Sequence, residues 1–179
     1  AMAYAVSMRG GDFTSVYPVP EFRYSPQQAE AEFGTQEVID SSATGGKGVM
    51  VKKCMIVSTV IDSLGLCKVP ALSIIGDFSL EMESRLIAAI TGLAMSPEDL
   101  FEAGERIINM EKIINIRQGS IPEDDNLPDF FLNTAFEKGP IKGRKVHLAP
   151  MVADFYANMG WDENGRPLEA TLRKFGLKI

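Results

Sequence analysis

Cysteine and histidine are nearly missing from this chain. Its 179 residues include two cysteines, Cys54 and Cys67, and one histidine, His147. Two cysteines cannot form a disulfide framework, so a reducing cytoplasm is the expected location. Two cysteines and one histidine also cannot complete a four-ligand zinc site of the usual kind. No apolar run reaches the roughly 18 residues of a membrane span. The first residues carry neither the basic segment nor the cleavage site of a secretory signal. Positive charge is in deficit, with 18 Lys and Arg against 24 Asp and Glu and a net charge of −6. That balance excludes general nucleic-acid binding and leaves room only for a local basic patch. Internal repeats, low-complexity runs and βαβ alternation are absent as well. The composition, 45% hydrophobic and 23% charged, is that of a soluble globular chain rather than a disordered one. Its length suits one domain, 1–179, that buries about 70% of the surface its unfolded chain exposes.

Helical periodicity dominates what is present. Ala1-Met2-Ala3-Tyr4-Ala5-Val6-Ser7-Met8 reads as helix interior, stopped by Gly10-Gly11. It has no start signal, which points to a piece of a larger protein. Ser25 as N-cap, Pro26 at the first position and Gly34 as stop predict a short helix between them. Residues 49–64 are apolar and β-branched enough for a buried strand. Their length, with Lys52, Thr59 and Ser63 on one side at helical spacing, favours a buried helix. In 79–93, Leu86, Ile87, Ile90 and Leu93 share one helical face. Ser96-Pro97-Glu98-Asp99 opens another helix, in which Leu100, Ile107 and Ile114 step by sevens, as do Phe101 and Ile108. Residues 124–143 read as loop, with a turn of helix after Pro128. Met151, Val152, Phe155, Tyr156 and Met159 mark a helix ended by Gly160, and Leu168, Leu172 and Phe175 face one way on a last short one. The expected fold class is all-α, with long irregular connections.

Most candidate chemistry fails on spacing. Gly45-Gly46-Lys47-Gly48 invites a phosphate reading, but a P-loop needs glycines four residues apart followed by Lys-Ser/Thr. A mobile loop is the expectation there. His147 has no nucleophile motif and no orienting acid, so a structural or surface role is expected. Glu123-Asp124-Asp125 with Asp129 lacks EF-hand spacing and reads as a solvated acidic loop. Lys142-Gly143-Arg144-Lys145 reads as solvated or paired with nearby acids. Asp62-Ser63-Leu64-Gly65-Leu66-Cys67-Lys68 is different. An acid at the C-terminal end of a helix opposes the helix dipole, and so calls for a partner. Gly65 permits positive φ and close approach to a ligand. From spacing alone the turn is either a plain helix stop or a ligand contact.

Taken together, these segments resemble the C-terminal part of the tungsten-containing aldehyde:ferredoxin oxidoreductase family. Ala3-Tyr4-Ala5-Val6-Ser7-Met8-Arg9-Gly10 is similar to its Ala-Tyr-Ala-x-Ser-x-Arg-Gly segment, and Asp62-Ser63-Leu64-Gly65-Leu66-Cys67 to its Asp-x-x-Gly-Leu-Cys motif. Thr91-Gly92, Gly104-Glu105-Arg106-Ile107, Asn115-Ile116-Arg117, Asp125-Asn126-Leu127-Pro128 and Gly160-Trp161-Asp162 follow in the family's order. The resemblance covers almost the whole chain. It implies a bis-pterin tungsten or molybdenum centre beside a 4Fe-4S cluster in the parent protein. Asp62 would bind the pterin, Gly65 and Leu66 would lie against its ring, and Cys67 would be a cluster ligand. The parent would oxidise an aldehyde to a carboxylic acid and pass electrons to ferredoxin, with the upstream domains of the same chain as partners. Removing those domains exposes apolar surface around 62–68, an expected route to a homo-oligomer.

The chain departs from the family pattern in two places. The family's upstream Cys-x-x-Cys-x-x-x-Cys stretch is absent, and Cys54 reads as core. The chain is therefore expected to be a C-terminal helical portion without cofactor or activity of its own. Aldehyde-oxidising members commonly carry a histidine shortly after Arg-Gly, where Phe13 stands here. Phenylalanine cannot move a proton; Asp12 is either the candidate catalytic group in its place or the cap of a turn. The departure also makes the tungsten subunit of a benzoyl-CoA reductase the alternative parent. A stand-alone helical binding module is the reading from another functional class.

Overall fold

A computed structural model describes residues 1–75, 78–139 and 141–179. Nine α-helices lie among them: α1 (Met2–Ala5), α2 (Pro20–Arg23), α3 (Pro26–Phe33), α4 (Lys47–Ser63), α5 (Glu81–Thr91), α6 (Pro97–Arg117), α7 (Asp129–Asn133), α8 (Leu148–Met159) and α9 (Glu169–Phe175). A π-type turn, Val69–Ile75, follows α4. The described residues contain no strand, only one antiparallel bridge between Trp161 and Pro167. The fold is all-α, as the periodicity predicts. No helix among the described residues is long and apolar enough to cross a membrane.

The core is built around α4. Met50, Val51, Cys54, Met55, Ile56, Val57, Val60 and Ile61 are all buried, and they point in nearly every direction around the helix. The side carrying Lys52, Thr59 and Ser63 is polar, and a helix otherwise this apolar has to be covered over most of its surface. Its largest neighbours are α8 and α6, and α1 touches both α4 and α8. Two glycines set these crossings. A Cβ at Gly48 would fall on the backbone of Asp154 and Phe155 in α8. A Cβ at Gly104 of α6 would sit 2.9 Å from Ile56 O and from Val60 Cγ2.

Several helix ends form as their sequences predict. Ser25 and Gln28 make a reciprocal capping box at α3, and Gly34 closes that helix with φ +72°. Ser96 and Asp99 do the same at α6. Of the stretch 124–143, Pro140 lies outside the described residues, and the expected helical turn after Pro128 is α7.

Other expectations are corrected. α1 ends at Ala5 rather than running to Met8. Ser7 Oγ accepts from Arg9 N at 3.4 Å and donates to Ser15 Oγ at 3.2 Å. Local bonds of this kind compete with helix continuation. The segment 45–48 is no surface loop. Gly46 caps α4 with φ +67°, Lys47 and Gly48 are buried, and Gly48 N donates to Asp154 Oδ2 at 2.8 Å. On α5, Ile87 is buried, but Ile90 and, just past the end of the helix, Leu93 are 74% and 61% exposed. Periodicity defines a face but does not say what covers it. Val69 beside the α4 turn is exposed too, but the more exposed apolar residues include Ile90 and Leu93 here and Phe22 and Phe130 elsewhere.

The acidic segment is also not fully solvated. Asp125 accepts from Lys112 Nζ at 2.6 Å and from the Tyr156 phenol at 2.5 Å, with both charged side chains buried. Lys112 Nζ also lies 5.3 Å from the Trp161 ring centre. Trp161 Nε1 donates to Asn109 Oδ1 at 2.7 Å. This network clasps α6, α8 and the 122–125 turn together. Removing one partner of a buried pair leaves the other charge uncompensated. Lys112→Ala should therefore lower stability by about 3–5 kcal/mol, whereas Glu123→Gln, on an exposed residue, should stay within about 0.5 kcal/mol. Chemical denaturation midpoints compare the two.

Candidate functional site

The exposed end of α4 gathers the charged groups of the candidate site. The helix closes in a left-handed turn. Gly65 has φ +69°, its N–H donates to Asp62 O at 3.0 Å, and Leu66 N donates to Ile61 O at 3.1 Å. This stop leaves Asp62 in the last turn, where the helix dipole is least hospitable to a carboxylate. Two cations offset that placement, both at the same oxygen. Lys68 Nζ is 2.7 Å from Asp62 Oδ2, and Arg9 Nη2 is 3.7 Å from it. Lys68 Nζ also donates to Thr14 O at 2.5 Å.

Arg9 carries the connection to Asp12. Its Nη2 lies 2.8 Å from Asp12 Oδ2 and donates to Ser15 Oγ at 3.0 Å. Asp12 caps the 3-10 turn Phe13–Ser15. It accepts from Thr14 N at 2.8 Å, Thr14 Oγ1 at 2.6 Å and Ser15 Oγ at 2.9 Å. The Thr14 hydroxyl is the largest influence on the Asp12 carboxyl, and with the Thr14 N–H, Ser15 and Arg9 it holds that group below the usual aspartate range. A cleft of about 140 Å³ lies alongside, lined by Arg9, Ser15, Thr59, Asp62 and Glu111 among others. Glu111 is shifted the other way. Burial pushes its carboxyl up and Asp62 adds to the push, while Arg9 opposes it.

The motif residues sit on the outside of this end. Asp62, Gly65 and Cys67 are exposed and Leu66 is half-buried. A Cβ at Gly65 would meet nothing within 4 Å, so the backbone is open to an approaching group. Cys54 is sealed in the core, and burial pushes its thiol far up, which leaves it inert. The described residues hold no cluster of three His, Cys, Asp or Glu side chains able to bind a metal.

Asp12 and Asp62, far apart in sequence, are thus joined through Arg9. His147, the 45–48 segment and the acidic segment are not part of this grouping. α4 has 17 residues, about 25 Å at 1.5 Å per residue, and Lys47 lies at its opposite end. Arg9, Lys68 and Glu111 escaped the sequence reading. The Asp-x-Thr spacing at Asp12 and Thr14 is a local turn signal, and Arg9 and Lys68 flank recognisable motifs. Nothing local announces that these segments meet.

Comparison with known proteins gives the family of the chain. A family model described as "Aldehyde ferredoxin oxidoreductase, domains 2 & 3" matches residues 1–177. Tungsten-containing aldehyde ferredoxin oxidoreductases of Pyrococcus horikoshii and Pyrococcus abyssi are 31% and 30% identical across 99% of this chain, and the match covers 27% of each relative. The "Aliphatic sulfonate oxidoreductase, WOR-like subunit" of Pyrococcus furiosus is 26% identical across 98% of this chain and 24% of its own length. Among solved structures, the active-site complex BamBC of benzoyl coenzyme A reductase with 1,5-dienoyl-CoA shares the fold. Its TM-score is 0.60 at 17% identity, over 87% of this chain and 26% of that one. The chain belongs to the aldehyde ferredoxin oxidoreductase family, and it spans about a quarter of the length of the curated relatives.

The hydrogen bonds to Asp12 give a titration test. A carboxyl whose folded pKa lies below its unfolded value, about 3.9, stabilises the fold above that value. The contribution is lost as pH falls through the folded pKa. Thr14→Val removes the leading donor and should raise the Asp12 pKa towards the ordinary value, read by carboxyl-carbon NMR. An unchanged titration would mean that Thr14 does not set it.

Proposed function

We propose that this chain supplies one wall of a tungsten–pterin and iron–sulfur site in a larger oxidoreductase that converts aldehydes to carboxylic acids, with ferredoxin as electron acceptor. One observation carries the reading. A carboxylate, an open glycine turn and a thiol, Asp62, Gly65 and Cys67, lie exposed together at the end of a buried helix. The relatives, tungsten-containing aldehyde ferredoxin oxidoreductases, supply the chemistry.

These residues fit part of such a site. The Asp62 carboxylate would accept N–H donors from a pterin's aminopyrimidine edge. Lys68 and Arg9 offset its charge and orient it through Oδ2. Gly65 and Leu66 let the ring lie close to the backbone. The Cys67 thiolate would be one cluster ligand, and the remaining ligands would have to come from outside these 179 residues, because Cys54 is sealed. By itself the 179-residue chain is then inactive. When bound, the metal–pterin centre and the cluster supply the two-electron oxidation and the onward electron transfer. Asp12, held by Thr14, Ser15 and Arg9, is the candidate catalytic carboxylate, linked to Asp62 through Arg9.

A second reading, a ring or thioester substrate, is favoured by one feature. Phe13 is exposed beside Asp12, with its ring 6.2 Å from Tyr4 and 6.0 Å from Tyr17. That aromatic patch suits a flat apolar substrate better than a small aldehyde.

Metal and pterin analysis of the complete protein tests the assignment. Cys67→Ser should lose the cluster's iron signal, and Asp62→Ala should lower the pterin retained per protein. Unchanged iron in the first variant or full tungsten–pterin content in the second would sink the corresponding role.

A further inference from the structure

Lys68 does more than offset the charge of Asp62. Its ammonium joins two segments that are far apart in sequence. Nζ pairs with Asp62 Oδ2 at 2.7 Å and donates to Thr14 O at 2.5 Å. The Lys68 side chain is 10% exposed, so both bonds are largely shielded from water. Thr14 in turn donates its N–H and its hydroxyl to Asp12 Oδ1, at 2.8 Å and 2.6 Å. Arg9 leads from Asp12 Oδ2 back to Asp62 Oδ2. Asp62, Lys68, Thr14, Asp12 and Arg9 thus form a closed ring.

The two cations that close this ring onto Asp62 are unequal. Arg9 Nη2 lies 3.7 Å from Asp62, on a side chain 53% exposed. An ion pair of that length in water contributes little. Lys68 makes two charge-assisted bonds from a shielded ammonium, and bonds of that kind are about twice as strong as neutral ones. Lys68 therefore carries the connection between the segments.

Its place in the chain has a second consequence. Lys68 directly follows Cys67 and precedes the Val69–Ile75 turn, where Ala71 and Leu72 are buried. On the other side of Cys67, Leu66 N donates to Ile61 O at 3.1 Å. The exposed thiol is presented from a backbone anchored before and after it.

We propose that Lys68 is a positioning residue that straps the 12–15 turn, with Asp12 and Phe13, to the Asp62–Cys67 motif. It sets the spacing between the candidate catalytic carboxylate and the residues that would hold the cofactors. The inference rests on the proposed function for what those cofactors are, and on the two Lys68 bonds for the strap itself.

Amide hydrogen exchange of the complete protein, read by mass spectrometry, tests the strap. The amides of Thr14, Val16 and Tyr17 are all bonded within the 12–17 segment. Lys68→Met should speed exchange in peptides 13–17 and 62–68 together, by at least about tenfold, the loss of one hydrogen bond to a charged group. Lys68→Arg keeps the charge and the donors and should hold exchange slow in both peptides. Asp62→Ala keeps the Lys68–Thr14 bond and should loosen 62–68 alone. Lys68→Met should also broaden the EPR line of the reduced cluster at unchanged iron content, with the narrow line kept in Lys68→Arg. Slow exchange at 13–17 in Lys68→Met would overturn the proposal. So would equal loosening of 13–17 in Asp62→Ala, loosening spread over the whole chain, or an unaltered EPR line in Lys68→Met. Iron retained in Cys67→Ser would instead sink the cofactor reading, and the exchange measurements would still decide the strap.

Discussion

The crossing of α4 with α8 and α6 is the constraint on which the rest depends. α4 is apolar over most of its circumference, with Lys52, Thr59 and Ser63 on the remaining side, so it is stable only where other helices cover it. Gly48 and Gly104 let two of those helices approach closely enough to do so, because a methyl group at either position would collide with backbone or with a packed side chain. Once α4 is held, its two ends are held as well. One delivers Asp62 and the open turn to the surface. The other buries Lys47 against Val38 O and Glu21.

The two ends solve opposite electrostatic problems. At the C-terminal end a carboxylate faces an unfavourable dipole, and Arg9 and Lys68 are brought in from separate segments to offset it. Arg9 then serves twice, since it also contacts Asp12. At the N-terminal end a cation is buried with one acid as its ion-pair partner. A third solution appears in the Lys112–Asp125 pair. There a phenol and an indole ring complete the surroundings of a buried ion pair, and the result serves the fold rather than a surface site.

Family membership rests on the match over residues 1–177, and the geometry adds a reason for the spacing of Asp62 and Cys67. A carboxylate and a thiol five positions apart come to lie on one exposed turn only if the helix stops between them, and Gly65 makes that stop. Phe13 marks where this chain differs from the aldehyde-oxidising pattern. Its ring lies in a patch with those of Tyr4 and Tyr17.

Helix content, the capping boxes at Ser25 and Ser96, the stops at Gly34 and Gly160, the buried course of α4 and the Asp62–Cys67 motif were all legible in the residues. Each rests on local chemistry within one turn of helix or on a period of 3.6. The early end of α1, the burial of Lys47 and Gly48, the exposure of Ile90 and Leu93, and the pairing of Asp125 with Lys112 were not legible. Each depends on which distant surface arrives. A pattern of apolar residues states that a face must be covered, and a charge states that it needs a counter-charge. The sequence alone determined which local structures form and which groups carry those needs. Only the packing of α4, α6 and α8 decided which segment meets each one, because side chains far apart along the chain become neighbours only when the helices dock.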